Sequence, residues 1–448
     1  MIVDSVLVNA KAYLEGQIVD CCIAIEEGKI SKIGKETNMP QADQKMDLHN
    51  LLVLPGLIDE HVHLRDEGRA YKEDFASGTA ASAAGGFTTV LDMPNNDPVT
   101  MSVATLQKRM EVASRRILVN VGFYSEFPKT LSETSAIVKA GAVGFKFFMG
   151  NQVGGQNVDD DGAIMEVVKE VAKLEVPLAV HAEDRAMLAV NERKLKEAKK
   201  NNVQEFLRAH TENVEVNAIK RLLGVSEGTD ARLHFCHVTS KGALDVIAQA
   251  KKLERKVSCE VTPNHLLLTS DDAARIGSMA IMAPPLRDKT HREALLKNLE
   301  NGAIDTVGSD HAPHTLEEKS ASSIWDVKVG VPGLETTLPL MMTLVRQKRL
   351  CIDQVVRLLA EKPAEIFGLA DRGQIDQGKN ADLTIVDYNT QFKIDPSTFK
   401  SKAKFSLYNG WEVYGKPDKT IVNGQLVFSE GEIVAKGGVG LVMRGGEA

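Results

Sequence analysis

Six side chains of the types that hold divalent metal ions each fall at the end of a short apolar run. His61 and His63 close the run Leu57–Leu64, Lys146 lies in Val143–Met149, His181 in Pro177–Ala182, His237 in Arg232–Val238 and Asp310 in Asp305–Asp310. In an extended strand, period-two alternation puts both imidazoles of His61-Val62-His63 on one face with Val62 opposite. Four histidines and a carboxylate are ligands suited to Zn²⁺ and similar divalent ions. Lys146, inside Gly144-Phe145-Lys146-Phe147-Phe148, is out of place, because a charge in an apolar strand needs a partner or must be neutralised. Reaction with CO₂ would do this: the resulting carbamate is anionic and offers one oxygen to each of two ions. The expectation is therefore two divalent metal ions, zinc first among them, bridged by N-carboxylated Lys146. Each residue alone has a plainer reading, an HxH pair as two satisfied polar groups or a lone histidine as a rim residue. The joint placement carries the argument.

The elements that would position these groups are visible in the hydrophobic pattern. Besides the runs named, Thr88–Met93, Ile117–Tyr124 and Lys256–Val261 complete a set of eight strand-like segments. Between them lie stretches such as Ala163–Lys173 and Lys241–Lys252, whose apolar residues recur every three to four positions, as in amphipathic helices. Gly85-Gly86 and Gly141 follow two such stretches and suit left-handed helix ends. Strands apolar on both faces and separated by helices argue for parallel pairing, and eight βα units close most economically as a (β/α)₈ TIM barrel. A doubly wound open sheet and two small α/β domains are the rivals. In a TIM barrel the loops after the strands converge on one mouth, where the six candidates would meet. Both ends of the chain read instead as β structure broken by Gly and Asn. This gives an expected small β-sandwich domain from residues 1–53 and 376–448 around a barrel of residues 54–375.

Composition narrows the function class. The 448 residues are 43% hydrophobic and 26% charged, with a formal net charge of −7 and acids and bases interspersed. No basic stripe suggests nucleic acid and no polybasic run suggests a membrane, so a small-molecule substrate is expected. No apolar run approaches the roughly 18 residues of a spanning helix and no signal-like N-terminus is seen, which points to the cytoplasm. The five cysteines lack CxxC spacing and read as reduced thiols, with Cys22, Cys236 and Cys259 buried. Of the remaining histidines, His49, His210 and His291 lie in polar segments and should face solvent. His234 is out of register with His237 and should point away from the barrel axis, while His265 stays open.

Taken in order, Gly56-Leu57-Ile58-Asp59-Glu60-His61-Val62-His63-Leu64-Arg65, Asp92-Met93-Pro94-Asn95, Gly144-Phe145-Lys146, His181-Ala182-Glu183, Val261-Thr262-Pro263-Asn264-His265 and Ser309-Asp310-His311-Ala312-Pro313-His314 resemble the amidohydrolase superfamily, and within it the dihydroorotases. The similarity continues through Gly330–Thr336, Lys362-Pro363-Ala364 and Gly378–Leu383. Several of these motifs are shared with hydantoinases and allantoinases. Arg65 and His314 make the set more specific.

The resemblance implies a binuclear site in which His61, His63 and Asp310 hold one ion, His181 and His237 the other, and carboxylated Lys146 bridges. It implies a metal-bridging hydroxide as nucleophile and Asp310 as the catalytic group that carries the proton to the leaving amide nitrogen. The implied reaction is the reversible hydrolysis of L-dihydroorotate to N-carbamoyl-L-aspartate in pyrimidine biosynthesis. Arg65 would grip the ring carboxylate with a planar fork, and Asn95 and His314 match the other carboxylate-binding positions. A structural ion pair of Arg65 with Asp66 or Asp92 is the alternative. Allantoinase or hydantoinase action on the same scaffold is the rival activity, and a metal-site pseudoenzyme acting as a scaffold is the rival class. Asn264 stands where the family often has a second histidine, and Ala283 where it often has asparagine. Some relatives bridge with an aspartate soon after the fourth strand, and Asp159-Asp160-Asp161 occupy that region here. The Gly-rich loop 150–157 is expected either to gate the mouth or to be an ordinary insertion, and a homodimer is the expected assembly.

Overall fold

The computed structural model describes residues 2–445 and contains two sheets. The first draws on both ends of the chain: β1 (Ile2–Leu14), β2 (Gln17–Glu26), β3 (Lys29–Gly34), β4 (Gln41–Asp47) and β5 (Leu52–Pro55) precede the second sheet, and β14 (Leu383–Lys393), β15 (Glu412–Val422), β16 (Gln425–Ser429) and β17 (Glu432–Ile433) follow it. β5 joins the halves, pairing parallel with β1 at Lys11↔Leu52 and antiparallel with β14 at Leu383↔Pro55. Leu7, Ala12, Ile23, Ile25, Val53, Leu383, Ile385 and Ile421 form one shared core, so neither terminal segment buries its apolar face without the other.

The second sheet is the expected barrel. β6 (Leu57–Val62), β7 (Phe87–Asp92), β8 (Asn120–Ser125), β9 (Gly144–Phe148), β10 (Pro177–His181), β11 (Arg232–Phe235), β12 (Val257–Val261) and β13 (Thr306–Val307) lie in sequence order, each parallel to the next. The ring closes where His63 N–H donates to the His311 carbonyl at 2.8 Å and Val62 bridges to His311. Helices cover the strands from outside, as Asp161–Leu174 shows. Asp160 caps its first turn by accepting from Gly162 and Ala163 N–H, and Ile164, Val167, Val168 and Val171 form its buried stripe. Each such side chain is worth about 1.5–3 kcal/mol when fully buried. Gly86 and Gly141 take the left-handed backbone expected of helix ends, at φ 86° and 112°.

Two strands stop earlier than their apolar runs. β11 ends at Phe235 and β13 at Val307, so His237 and Asp310 lie on the loops beyond. The cause is backbone geometry: His237 and Asp310 have φ of 37° and 45°, outside the range a ladder accepts. Gly308 follows β13 because a Cβ there would lie 2.8 Å from the Glu260 carboxyl carbon.

β8 and β9 pair only where the end of β8 meets the start of β9, at Tyr124↔Gly144 and Ser125↔Phe145. Below that, the C-terminal segment enters the seam: Val121 N–H donates to Leu441 O at 2.9 Å and Met443 N–H to Val121 O at 2.8 Å. Gly440 permits this approach, since any Cβ would meet the Val119 carbonyl oxygen at 2.0 Å. No helix among the described residues is long and apolar enough to cross a membrane.

Candidate metal centre and active site

The barrel mouth gathers the four histidines. Ring centroids are 5.5 Å apart for His61 and His63, 5.2 Å for His61 and His237, and 4.9 Å for His181 and His237. The carboxylate of Asp310 reaches the same cluster, its Oδ1 lying 3.3 Å from His61 Nε2 and 3.2 Å from His63 Nε2. Burial alone would raise the Asp310 carboxyl, but the facing His61 and His63 hold it below the usual carboxylate range. Burial depresses His63 to about 3.

Each of three imidazoles has one nitrogen tied from behind. His61 Nδ1 lies 2.9 Å from Glu260 Oε1, His63 Nδ1 lies 2.7 Å from Asn95 Oδ1, and His181 Nε2 lies 3.0 Å from Glu183 Oε2. All three partners are acceptors, so each of those nitrogens carries the proton, and in the neutral ring that metal ligation needs the opposite nitrogen presents a lone pair. The consequence is that His61 Nε2 and His63 Nε2 aim lone pairs at an Asp310 oxygen, while His181 Nδ1 faces His237 Nε2 at 3.2 Å. At His61 and His63 neutral rings would set acceptors against the Asp310 oxygen, and a cation between them converts each contact into a ligand bond. The residues present therefore fit divalent ions, with the ordered outer partners that ligating histidines need. His61, His63 and Asp310 are also a group whose donor atoms all lie within 4.8 Å of one another.

Lys146 sits among these rings, fully buried, its Nζ 3.0 Å from Cys236 Sγ and 5.2 Å from the Phe148 ring centre. No carboxylate among the described residues forms an ion pair with it. Asp159, Asp160 and Asp161 lie elsewhere: Asp159 pairs with Arg185 at 2.9 Å, Asp160 caps a helix and Asp161 pairs with Arg221 at 2.6 Å, on exposed surface. The loop 150–157 is fastened to the segment after β8, with Gly155 N–H donating to Phe127 O at 2.8 Å and Gln156 Nε2 to Pro128 O at 2.6 Å.

Beside the metal cluster, Arg65 is 6% exposed and adopts φ 61°. Its guanidinium meets only neutral groups, the Pro313 carbonyl at 3.4 Å and His314 Nε2 at 3.3 Å. The carboxylates that could have claimed it are committed elsewhere, Asp92 to Arg109 and Asp66 to Arg116, both at 2.5 Å. Burial lowers Arg65 to about 10 and lowers His314 to about 3, the latter helped by the charges of Arg65 and Lys72. Arg65, His237 and Asp310 all hold positive φ, a conformation costing about 1–3 kcal/mol per residue and concentrated at functional sites.

A family model for the amidohydrolase family matches residues 52–427. The chain belongs to this family. Among curated amidohydrolase relatives, the dihydroorotase of Bacillus cytotoxicus is 36% identical over 93% of this chain and 96% of its own. The dihydroorotase of Methanothermobacter thermautotrophicus is 36% identical over 93% of each chain. Among solved structures, the L-hydantoinase (dihydropyrimidinase) of Arthrobacter aurescens superposes with a TM-score of 0.94 at 31% identity, over 99% of this chain and 100% of its own. A D-hydantoinase (dihydropyrimidinase) of Thermus sp. gives 0.91 at 27% identity, over 98% and 99%.

Against this amidohydrolase frame, two histidine expectations are corrected. His210 is 3% exposed rather than solvent-facing, because its Nδ1 is held 2.7 Å from Glu183 Oε1. His234 does not turn away from the axis: its Nε2 lies 3.8 Å from Glu260 Oε2, on the ligand side. The outer partners Glu183, Glu260 and His210 were not among the site residues expected from sequence. The signal for Glu183 was present in His181-Ala182-Glu183, since two residues past a ligand returns to the same strand face. The partnership of Glu260 with His61 spans 199 positions and left no local mark. Asn95, expected at a substrate carboxylate, places its Oδ1 on His63 Nδ1.

Proposed function

We propose that this chain interconverts L-dihydroorotate and N-carbamoyl-L-aspartate, as a dihydroorotase. The observation that carries the reading is Arg65, a buried guanidinium with no carboxylate partner among the described residues, next to the metal cluster. A buried unpaired cation is costly, and a carboxylate on the substrate is the group that satisfies it with two parallel hydrogen bonds.

His61, His63, His181, His237, Asp310 and N-carboxylated Lys146 would hold divalent ions, zinc by the donor set, which would supply Lewis acidity to the ring carbonyl and to water. The chain's own groups do the rest. Arg65, His314 and the Asn95 amide orient the ring by its carboxylate, so that the scissile amide lies over the cluster. Asp310, held ionised beside His61 and His63, accepts the proton of the attacking water and returns it to the departing ring nitrogen. Ring closure runs the same transfer backwards, with Asp310 protonated.

A hydantoinase reading is favoured by the 0.94 superposition on an L-hydantoinase, and the ring-opening chemistry is the same. Unsubstituted neutral rings give Arg65 nothing to bind, which ranks this reading second. The deciding experiment is a spectrophotometric assay of dihydroorotate, hydantoin and allantoin at matched metal loading, before and after chelation. Turnover of dihydroorotate that chelation abolishes is the expected result. Turnover of hydantoin or allantoin with none of dihydroorotate overturns the assignment.

A further inference from the structure

His314 sits between two pairs of groups that ask opposite things of it. At Nδ1, Lys72 Nζ approaches to 3.1 Å and can only donate, while Glu318 Oε2, also at 3.1 Å, can only accept. At Nε2, the Arg65 guanidinium at 3.3 Å can only donate, and the Val329 carbonyl at 3.0 Å can only accept. A neutral imidazole has one proton for these two positions. With the proton on Nδ1, His314 donates to Glu318 and accepts from Arg65. With the proton on Nε2, it accepts from Lys72 and donates to the Val329 carbonyl, on the side where Arg65 would receive a carboxylate able to share that proton. When an anionic ligand engages Arg65, the first arrangement loses its donor at Nε2, and the second gains an acceptor there.

We propose that Lys72 is a positioning residue for anionic substrates: by donating to Nδ1 it holds the His314 proton at Nε2, where the imidazole donates to the ligand's carboxylate. This rests on the dihydroorotase reading above. Lys72 is placed for it, 7% exposed at its side chain and paired with Glu318 Oε1 at 2.8 Å. Tyr71 O–H and Thr315 N–H also donate to Glu318, at 3.0 and 3.2 Å, so the carboxylate that steadies Lys72 is itself fixed. The charged groups around His314 are Arg65 and Lys72 from the loop after β6, and Glu318 and Lys319 from the helix Leu316–Lys319. Three cations against one anion, with burial, keep the ring neutral.

The test uses full-length, metal-loaded protein. In Lys72→Met, KM for dihydroorotate should rise about tenfold or more, with kcat at saturation within about twofold of wild type. KM for dihydrouracil, the same ring without the carboxylate, should not move. Lys72→Arg should restore dihydroorotate binding, and Glu318→Gln, whose amide oxygen can still accept from Lys72, should raise KM by less than Lys72→Met does. With one cation gone, the His314 titration in Lys72→Met should move up from about 3, and the pH profile of its KM should shift in the same direction relative to wild type. If Lys72→Met loses its metals or its melting transition, Lys72→Gln, an uncharged single donor, should give an intermediate KM. Wild-type turnover of dihydroorotate with an unchanged KM in Lys72→Met overturns this inference alone. Equal increases in Lys72→Met and Glu318→Gln also overturn it, reducing Lys72 to a clasp between loops. Wild-type turnover of dihydrouracil without dihydroorotate fails the functional reading, and this inference with it.

Discussion

Glu183 holds His181 from behind: its Oε2 accepts the Nε2 proton at 3.0 Å, which turns the ring's Nδ1 lone pair toward His237. The other oxygen is fixed by His210 at 2.7 Å, so the carboxylate cannot swing away. Burial would raise this carboxyl, yet the two imidazoles hold it well below the usual range.

Glu183→Gln keeps the shape but presents an amide that can turn its N–H₂ toward His181 and so favour the wrong tautomer. Metal affinity or activity should fall about 10–100-fold, the usual cost of losing such a partner. Competitive chelator titration followed by elemental analysis measures it, and wild-type affinity together with wild-type rate would refute the orienting role.

Arg65→Met should leave the metal content intact, because Arg65 touches none of the candidate ligands at bonding distance. Two charge-assisted hydrogen bonds at about 1.5–3 kcal/mol each correspond to a loss of at least about a hundredfold in kcat/KM for dihydroorotate. A normal KM and kcat in this variant would remove Arg65 from the substrate site.

Lys146 lies buried without an anionic partner among the described residues, and carboxylation would remove that charge. Apoprotein prepared by chelation should recover full activity with Zn²⁺ plus bicarbonate, and only a fraction of it with Zn²⁺ in CO₂-free buffer. Incubation with ¹³C-bicarbonate should produce a carbamate carbon signal that Lys146→Met lacks. Equal recovery with and without CO₂ and no such signal would sink the carbamate.

Glu126 is 2% exposed, and burial raises its carboxyl from 4.5 to about 8 against the pull of the Phe127 and Phe148 N–H groups and Lys146. The folded state therefore keeps a proton that the unfolded chain releases near pH 4.5, so stability falls as pH rises from there through about 8. Glu126→Gln should flatten that decline. Melting temperatures of both proteins from about pH 5 to 9 provide the check, and parallel curves would count against a protonated Glu126.

The barrel was legible because its signal is local. Strands buried on both faces leave unbroken apolar runs, and a helix such as Asp161–Leu174 writes its buried stripe at three- to four-residue spacing. The six candidate ligands could be read for the same reason, since barrel geometry sends the ends of all eight runs to one mouth. What the sequence left unread is the set of carboxylates that orient them. Glu260 reaches His61 across the barrel, and a polar residue in the middle of an apolar strand carries no mark of which neighbour it serves. His210 misled for a related reason: its flanking residues are polar, but one long-range bond to Glu183 buries it. The early ends of β11 and β13 depend on the positive φ of His237 and Asp310, a conformation these residue types do not announce.

The placement of Leu441–Met443 against Val121 bears on how this protein is made. A ribosome releases the β8 segment some 300 residues before it releases the strand that fills the seam beside it. Until residues 441–443 emerge, the nascent barrel exposes that gap, so its closure waits for them and a chain cut before Leu441 should fold late or be captured by chaperones.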